Sequence, residues 1–183
     1  AMPLLAKAMP QLQWIHLTGP NHAEQVRQTS AALNLKAVVH PFFAEMELAL
    51  GAATLTISRA GASSLAELAA MRLPSVLIPY PAATDNHQFH NARAFQETGA
   101  ARLLEQKTAT AEDLARVTLE LFEQQAIRAR MQSALAGWDR PQAAEEIAEH
   151  ILAATTRQVN SPVVAASPES EARGQGRPRS YGN

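Results

Sequence analysis

The sequence predicts an α/β fold built on a Rossmann-like, doubly wound parallel sheet. Short β-branched or apolar runs alternate with longer segments whose apolar residues recur at helical spacing, and this alternation is typical of βαβ units. From residue 110 onward the pattern is helical only, so we expect helices to close the domain. The chain has 183 residues, 46% of them hydrophobic and 18% charged, which suits one globular domain with a substantial core.

The predicted elements follow one another in the order that such a sheet requires. Residues 3–9 resemble the end of a helix that leads directly into a strand, so we expect a further element before residue 1. Asp85 is a start signal, Gly99 a stop signal, and Pro141 fits the beginning of a helix. Strands are predicted at residues 12–17, 37–40, 54–58, 75–79 and, more weakly, 101–105, and helices at residues 21–33, 45–50, 63–71, 85–97, 112–125, 127–135 and 142–154.

The composition changes near residue 155. Residues 1–155 are predicted to form the folded domain, whereas residues 156–183 are rich in Ser, Pro, Gly and Arg, with too little apolar surface to offset the entropy of ordering. We therefore expect a disordered tail there. Its four arginines and two glutamates leave two alternatives, a solvated tail without a role or a weak electrostatic anchor to an anionic surface.

Charge and residue usage exclude several classes of function. The formal net charge is -1 and no basic stripe is interleaved with aromatics, so we expect no nucleic-acid partner. The absence of cysteine excludes disulfides and thiolate chemistry. No apolar run reaches the roughly 18 to 20 residues that span a bilayer, so we expect any membrane contact to be peripheral.

The most informative segment is the strand-to-helix turn around residues 59–61. Ligands of open α/β sheets bind at the carboxyl ends of the strands. Gly61 is expected to supply backbone geometry closed to other residues, and the unpaired amides of a following helix would bind a diphosphate. Glu67, one turn later, could accept hydrogen bonds from a ribose diol. The alternative from spacing alone is that Ser64 and Glu67 form a capping box, which needs no ligand.

A second polar segment follows the strand at residues 75–79. Gln88 and Asn91 are three residues apart and share a helix face, where their amides suit sugar hydroxyls. The alternative is a solvated helix face. His87 and His90 have the same separation, but without a third ligand in the pattern we predict no metal site.

Two further loops are expected on the same edge of the sheet. Residues 40–46 follow a strand, and an aromatic such as Phe43 could pack on a base while its backbone meets the base edge, although an aromatic there can equally be core. Residues 16–19 end the first strand. The four segments converge on one rim, which is a stronger indication of a ligand site than any single motif.

Taken in order, these segments resemble the MurG family. The resemblance covers roughly residues 1–152 and is specific as a series. It rests on residues 16–19 (HLTG), 41–43 (PFF), 58–62 (SRAGA) with Glu67, 73–79 (LPSVLIP), 85–88 (DNHQ) with 91–92 (NA), and 99–101 (GAA).

The resemblance implies the C-terminal domain of a GT-B glycosyltransferase that uses no cofactor. The family transfers N-acetylglucosamine from UDP to undecaprenyl-pyrophosphoryl-N-acetylmuramoyl-pentapeptide, with inversion, in peptidoglycan synthesis. This implies a peripheral enzyme on the cytoplasmic face of the bacterial inner membrane. By position, the Phe43 backbone would meet uracil, residues 62–64 the diphosphate, Glu67 the ribose, and Gln88 with Asn91 the N-acetylglucosamine. The expected substrate-binding set is Phe43, Arg59, Gly61, Ala62, Ser63, Ser64, Leu65, Ala66, Glu67, Gln88 and Asn91.

Two features of the family are not expected in this chain. The eight glycines include no paired phosphate turn, and no acceptor-binding domain is recognised, so this chain is expected to be the donor-binding part and inactive by itself. Arg59 could help neutralise diphosphate or form a structural salt bridge. The alternatives for function are another GT-B UDP-sugar transferase, such as a diacylglycerol glycosyltransferase, a UDP-N-acetylglucosamine 2-epimerase, and a non-catalytic nucleotide-sugar-binding module.

Overall fold

A computed structural model describes residues 1–159. The chain forms two compact units, Ala1–Pro141 and a second unit that begins at Gln142. In the first unit, helices and strands alternate up to β5 and are followed by two helices, as the sequence predicts. Its elements are α1 (Met2–Ala8), β1 (Gln13–Leu17), α2 (Ala23–Ala32), β2 (Lys36–His40), α3 (Met46–Ala52), β3 (Thr56–Ser58), α4 (Ala62–Ala70), β4 (Ser75–Leu77), α5 (His87–Glu97), β5 (Arg102–Leu103), α6 (Ala111–Glu123) and α7 (Gln125–Ala136), with a 3-10 turn at Thr84–Asn86.

All strand pairings are parallel, which confirms the predicted sheet type. The strands nevertheless form two sheets, β1-β2 and β3-β4-β5, instead of one. In a doubly wound sheet of order 3-2-1-4-5-6 these would be positions 3-2 and 4-5-6. Within residues 1–159 no strand pairs with the second edge of β1 or of β3, so the sheet is interrupted there.

The core surrounds β4, whose residues Ser75, Val76 and Leu77 are fully buried. Parallel strands that are buried on both faces are mostly apolar, and β4 follows this pattern except at Ser75. Helices α4, α5, α6 and α7 each contribute buried apolar side chains. By contrast β1 and β2 leave apolar side chains exposed on one face, with Ile15 and Val38 paired across the strands.

Helix α8 (Ala143–Val159) lies in the second unit. Its last four residues, 156–159, follow residue 155, where we expected the folded domain to end. The remainder of the predicted disordered tail, residues 160–183, lies outside the described residues. None of the helices described through Val159 is long and apolar enough to cross a membrane.

Candidate functional site

The candidate site lies at the carboxyl ends of β3 and β4, where two turns are joined by side-chain hydrogen bonds. Arg59 follows β3, and its Nη1 donates to the carbonyls of Ile78 (3.1 Å) and Pro79 (3.2 Å), which follow β4. Asn91 Nδ2, on α5, donates to the carbonyl of Ala60 at 3.1 Å. Three segments far apart in sequence are thereby held at one edge of the sheet.

The turn after β3 opens onto the N-terminus of α4. Leu65 N makes the first helical hydrogen bond, to the carbonyl of Gly61 at 3.0 Å, so the amides of Ala62, Ser63 and Ser64 precede it and have no partner within the helix. No acidic residue lies in the first turn, and no side chain caps it. These amides and the helix dipole favour an anion there.

The capping-box alternative for Ser64 and Glu67 is wrong. Helix α4 begins at Ala62 with Gly61 as its N-cap, one residue earlier than predicted, so Ser64 already lies inside the first turn. Its side chain makes no capping hydrogen bond. Glu67 is exposed, and its carboxylate has no hydrogen bond or ion pair within residues 1–159, which leaves it able to accept bonds from a ligand.

The reason given for Gly61 is also wrong. Its φ is -69° and its ψ is 148°, an extended conformation that any residue can adopt. A β-carbon at this position would meet only Ser64 Oγ, at 3.9 Å, an ordinary van der Waals distance. Neither backbone geometry nor the surrounding protein therefore requires glycine at position 61.

Leu65 and Ala66 differ in what they can offer to a ligand. The Leu65 side chain is 6% exposed and belongs to the core, and its backbone N already donates to the carbonyl of Gly61. Ala66 is exposed on the surface of α4. This part of the predicted set can contribute shape but neither free amides nor side-chain chemistry.

Gln88 faces the turn after β4. The backbone N of Tyr80 donates to Gln88 Oε1 at 2.9 Å, and because an amide N–H needs an acceptor, this bond fixes which end of the side chain points at Tyr80. The Nε2 donor is consequently left for another partner. Asn91 has the opposite arrangement, since its Nδ2 is used by Ala60 and its Oδ1 remains.

The start of α5 differs from the prediction. The helix begins at His87 with Asn86 as N-cap, so Asp85 is not the N-cap. Asp85 (φ 50°) and Asn86 (φ 54°) both lie in the left-handed region, which Asp and Asn tolerate better than most residues. His87 Nδ1 lies 2.7 Å from the carbonyl of Thr84. Over residues 1–159 no group of three or more His, Cys, Asp or Glu could hold a metal ion.

Phe43 belongs to a separate part of the rim, after β2. Its ring is half-buried and lies against His40, with centroids 5.2 Å apart and a 41° tilt. The neighbouring Phe42 is 79% exposed. Loops after β1 and β2 are joined by the bond from Thr18 N to the His40 carbonyl at 3.1 Å. In the described part of the chain, no hydrogen bond, ion pair or ring contact links Phe43 to Arg59 or to the turns after β3 and β4.

His16 lies on β1 and is half-buried, and burial lowers its pKa below 6.5 because desolvation disfavours the charged ring. Its Nε2 and the Nε1 of Trp14 are both buried without a hydrogen-bond partner. The two rings meet edge to face at 5.6 Å. This cluster was not identified from the sequence, since nothing in the spacing marks a strand histidine as buried.

Two cavities lie within the first unit. A cavity of about 80 Å³ lies beside the start of α5 and a larger one of about 300 Å³ beside β5. No member of the predicted substrate-binding set lines either cavity.

The chain matches the family model of the glycosyltransferase family 28 C-terminal domain over residues 1–151. A UDP-N-acetylglucosamine--N-acetylmuramyl-(pentapeptide) pyrophosphoryl-undecaprenol N-acetylglucosamine transferase of Anaeromyxobacter sp. (strain K) is 38% identical over 162 residues, covering 88% of this chain and 42% of the relative. The transferase of the same name from Sorangium cellulosum (strain So ce56) is 43% identical over 143 residues, covering 77% of this chain and 35% of the relative. This chain thus spans less than half the length of these relatives.

Solved structures are also similar to this chain. The crystal structure of Acinetobacter baumannii MurG superposes with a TM-score of 0.72 at 29% identity, covering 81% of this chain and 46% of that one. The glycosyltransferase VinC, solved in complex with DTDP, superposes with a TM-score of 0.64 at 17% identity, covering 86% of this chain and 38% of that one, which shows a shared fold.

Proposed function

Since the chain belongs to the family of the glycosyltransferase family 28 C-terminal domain, we propose that it binds UDP-N-acetylglucosamine as the donor-binding part of an inverting transferase. The acceptor is undecaprenyl-pyrophosphoryl-N-acetylmuramoyl-pentapeptide, the molecule that the names of the relatives describe. The observation that carries the proposal is the uncapped N-terminus of α4, held by Asn91 next to the helix that bears Gln88.

The diphosphate occupies the start of α4. The amides of Ala62, Ser63 and Ser64 donate to its oxygens, and the helix dipole adds a favourable field. As the acceptor hydroxyl attacks the anomeric carbon, the bond from that carbon to the diphosphate oxygen breaks and UDP leaves with the electron pair. The amides then stabilise the negative charge that develops on the leaving diphosphate.

Recognition of the rest of the donor is divided among the other predicted residues. The exposed carboxylate of Glu67 accepts hydrogen bonds from the ribose hydroxyls, and the backbone at Phe43 meets uracil. Gln88 offers a donor and Asn91 an acceptor to the N-acetylglucosamine, because the opposite end of each amide is already used by the protein. Together the two side chains present one hydrogen-bond donor and one acceptor to the sugar.

The acceptor-binding part of the enzyme holds the acceptor and supplies the base that takes its proton. Because the acceptor is lipid-linked, the enzyme works as a peripheral protein at the cytoplasmic face of the bacterial plasma membrane. Residues 1–155 serve as the UDP-sugar-binding domain. We expect neither a cofactor nor a nucleic acid to take part.

Calorimetric titration of the chain with UDP-N-acetylglucosamine tests the proposal. Replacing Glu67→Ala should weaken binding by about tenfold or more, because hydrogen bonds to a charged group contribute about 1.5–3 kcal/mol. The matched control is Glu97→Ala, another exposed glutamate, which pairs with Arg93 on its own helix. Equal affinity of the Glu67→Ala variant and the unchanged chain would remove the ribose assignment.

A panel of UDP-sugars separates this function from its nearest alternative. Preference for UDP-N-acetylglucosamine over UDP-glucose is expected from the donor and acceptor that Gln88 and Asn91 present. Equal binding of both sugars would instead support another UDP-sugar transferase. Absence of binding for every UDP-sugar, in a chain that unfolds cooperatively, would contradict the proposed function itself.

A further inference from the structure

The Arg59 side chain makes its hydrogen bonds to the protein backbone, unlike a side chain that is free to bind a diphosphate. Both of its hydrogen bonds come from Nη1 and go to backbone carbonyls, those of Ile78 and Pro79. In the part of the chain that the structure describes, its guanidinium makes no ion pair, so the salt bridge considered from the sequence is absent. The side chain instead links the turns after β3 and β4, because its two carbonyl partners lie 19 and 20 residues further along the chain.

The bridge continues to Gln88 through one residue. The Arg59 guanidinium carbon lies 5.5 Å from the centroid of the Tyr80 ring, within the range of a cation–π contact. The backbone N of the same Tyr80 donates to Gln88 Oε1 at 2.9 Å. Two contacts of Arg59 thus hold the carbonyls just before Tyr80, and a third holds its ring.

We propose that Arg59 is a positioning residue that holds the Tyr80 backbone amide against Gln88 and so keeps the Gln88 Nε2 donor turned toward the sugar. This rests on the proposed function, in which Gln88 contacts the N-acetylglucosamine. If the Tyr80 amide moves, either end of the Gln88 amide can face the ligand, and the donor is no longer preorganised. Arg59 therefore determines recognition of the sugar and not of UDP.

Lysine at position 59 separates this role from charge neutralisation. Lysine keeps the positive charge but lacks the planar guanidinium that holds two carbonyls and stacks on a ring. With Arg59→Lys we expect UDP affinity to be unchanged and UDP-N-acetylglucosamine affinity to fall by about threefold to tenfold, the equivalent of one hydrogen bond. In a Gln88→Ala background the same substitution should have no further effect.

The matched control is Arg93→Lys, since Arg93 is an exposed arginine whose contact is with Glu97 on its own helix. Circular dichroism of each variant establishes that the fold is retained. If Arg59 acts as a diphosphate ligand, Arg59→Gln weakens UDP and UDP-N-acetylglucosamine equally while Arg59→Lys preserves both, and the positioning role is overturned.

A ligand-free measurement distinguishes failure of this inference from failure of the proposed function. Hydrogen exchange of the Tyr80 amide, followed by NMR, should be at least about threefold faster in Arg59→Lys, because the amide loses part of its protection. It should be unchanged in Arg93→Lys. Equal Tyr80 protection in Arg59→Lys and the unchanged chain overturns the positioning role, whether or not any nucleotide binds.

Discussion

Thr110 and Asp113 cap the start of α6 reciprocally. Thr110 Oγ1 accepts from the backbone N of Asp113 at 3.1 Å, and the backbone N of Thr110 donates to Asp113 Oδ2, also at 3.1 Å. The bond from the Thr110 backbone, then that from its hydroxyl, and then the contact with Arg116 hold the pKa of Asp113 below its ordinary 3.8. The capping box that the sequence suggested at α4 is thus found at α6.

Acid unfolding tests the Asp113 cap. Because the folded state lowers the pKa, the ionised carboxylate stabilises the fold above about pH 3.8, and this contribution is lost as the pH falls through the folded value. We expect Asp113→Asn to unfold less steeply with falling pH in this range, as measured by chemical denaturation at several pH values. Glu112→Gln, in the same first turn, serves as control. Identical slopes in the Asp113→Asn variant and the unchanged chain would contradict the cap.

Gly61→Ala should separate folding from ligand binding. The extended backbone and the 3.9 Å distance to Ser64 Oγ leave room for a methyl group, so the free energy of unfolding should stay the same or rise by about 0.4–1 kcal/mol. UDP affinity should nevertheless fall about tenfold, since overpacking against a close ligand costs about 1–3 kcal/mol.

Gly51→Ala, on α3, is the matched control and should leave UDP affinity unchanged. Loss of stability in Gly61→Ala would show that the protein itself requires this glycine, and unchanged UDP affinity would show that no ligand comes close to it.

The sequence predicted the order and type of the elements better than the contacts of the site. Local periodicity is sufficient to identify α4 and α5, but it does not determine the residue at which a helix begins. The capping box would require Ser64 as the N-cap, whereas Gly61 holds that position, and a left-handed Asn86 displaced Asp85 from the N-cap of α5. The bond from Asn91 to Ala60 spans 31 residues, and spacing carries no information about such nonlocal pairs.

The left-handed backbone at Asn86 predicts a specific order of stabilities. Residues other than Gly, Asn and Asp lose about 1–2 kcal/mol in this conformation. Asn86→Ala should therefore lower the free energy of unfolding by about 1 kcal/mol, whereas Asn86→Gly should leave it nearly unchanged. Urea titration measures both. A stability of Asn86→Ala equal to that of Asn86→Gly would argue against the left-handed turn before α5.

His16 predicts a second dependence of stability on pH. Its pKa is lowered in the folded state by burial, so below 6.5 the unfolded chain binds the proton more readily. Stability is expected to fall as the pH decreases from 6.5 to the folded pKa, and His16→Gln should remove this part of the slope. His22→Gln, at the exposed N-cap of α2, should leave it in place. NMR titration of the His16 ring measures the folded pKa directly.

The two tryptophans of the chain lie in the two separately paired regions of the first unit. Trp14 is part of β1, whereas Trp138 stacks on Phe95 of α5 at 4.3 Å and donates to Thr98 Oγ1 at 2.9 Å. Helix α5 packs on β5, so Trp138 senses the three-stranded sheet. Intrinsic fluorescence therefore contains two built-in reporters, and single-tryptophan variants can show whether the two sheets melt together or in sequence.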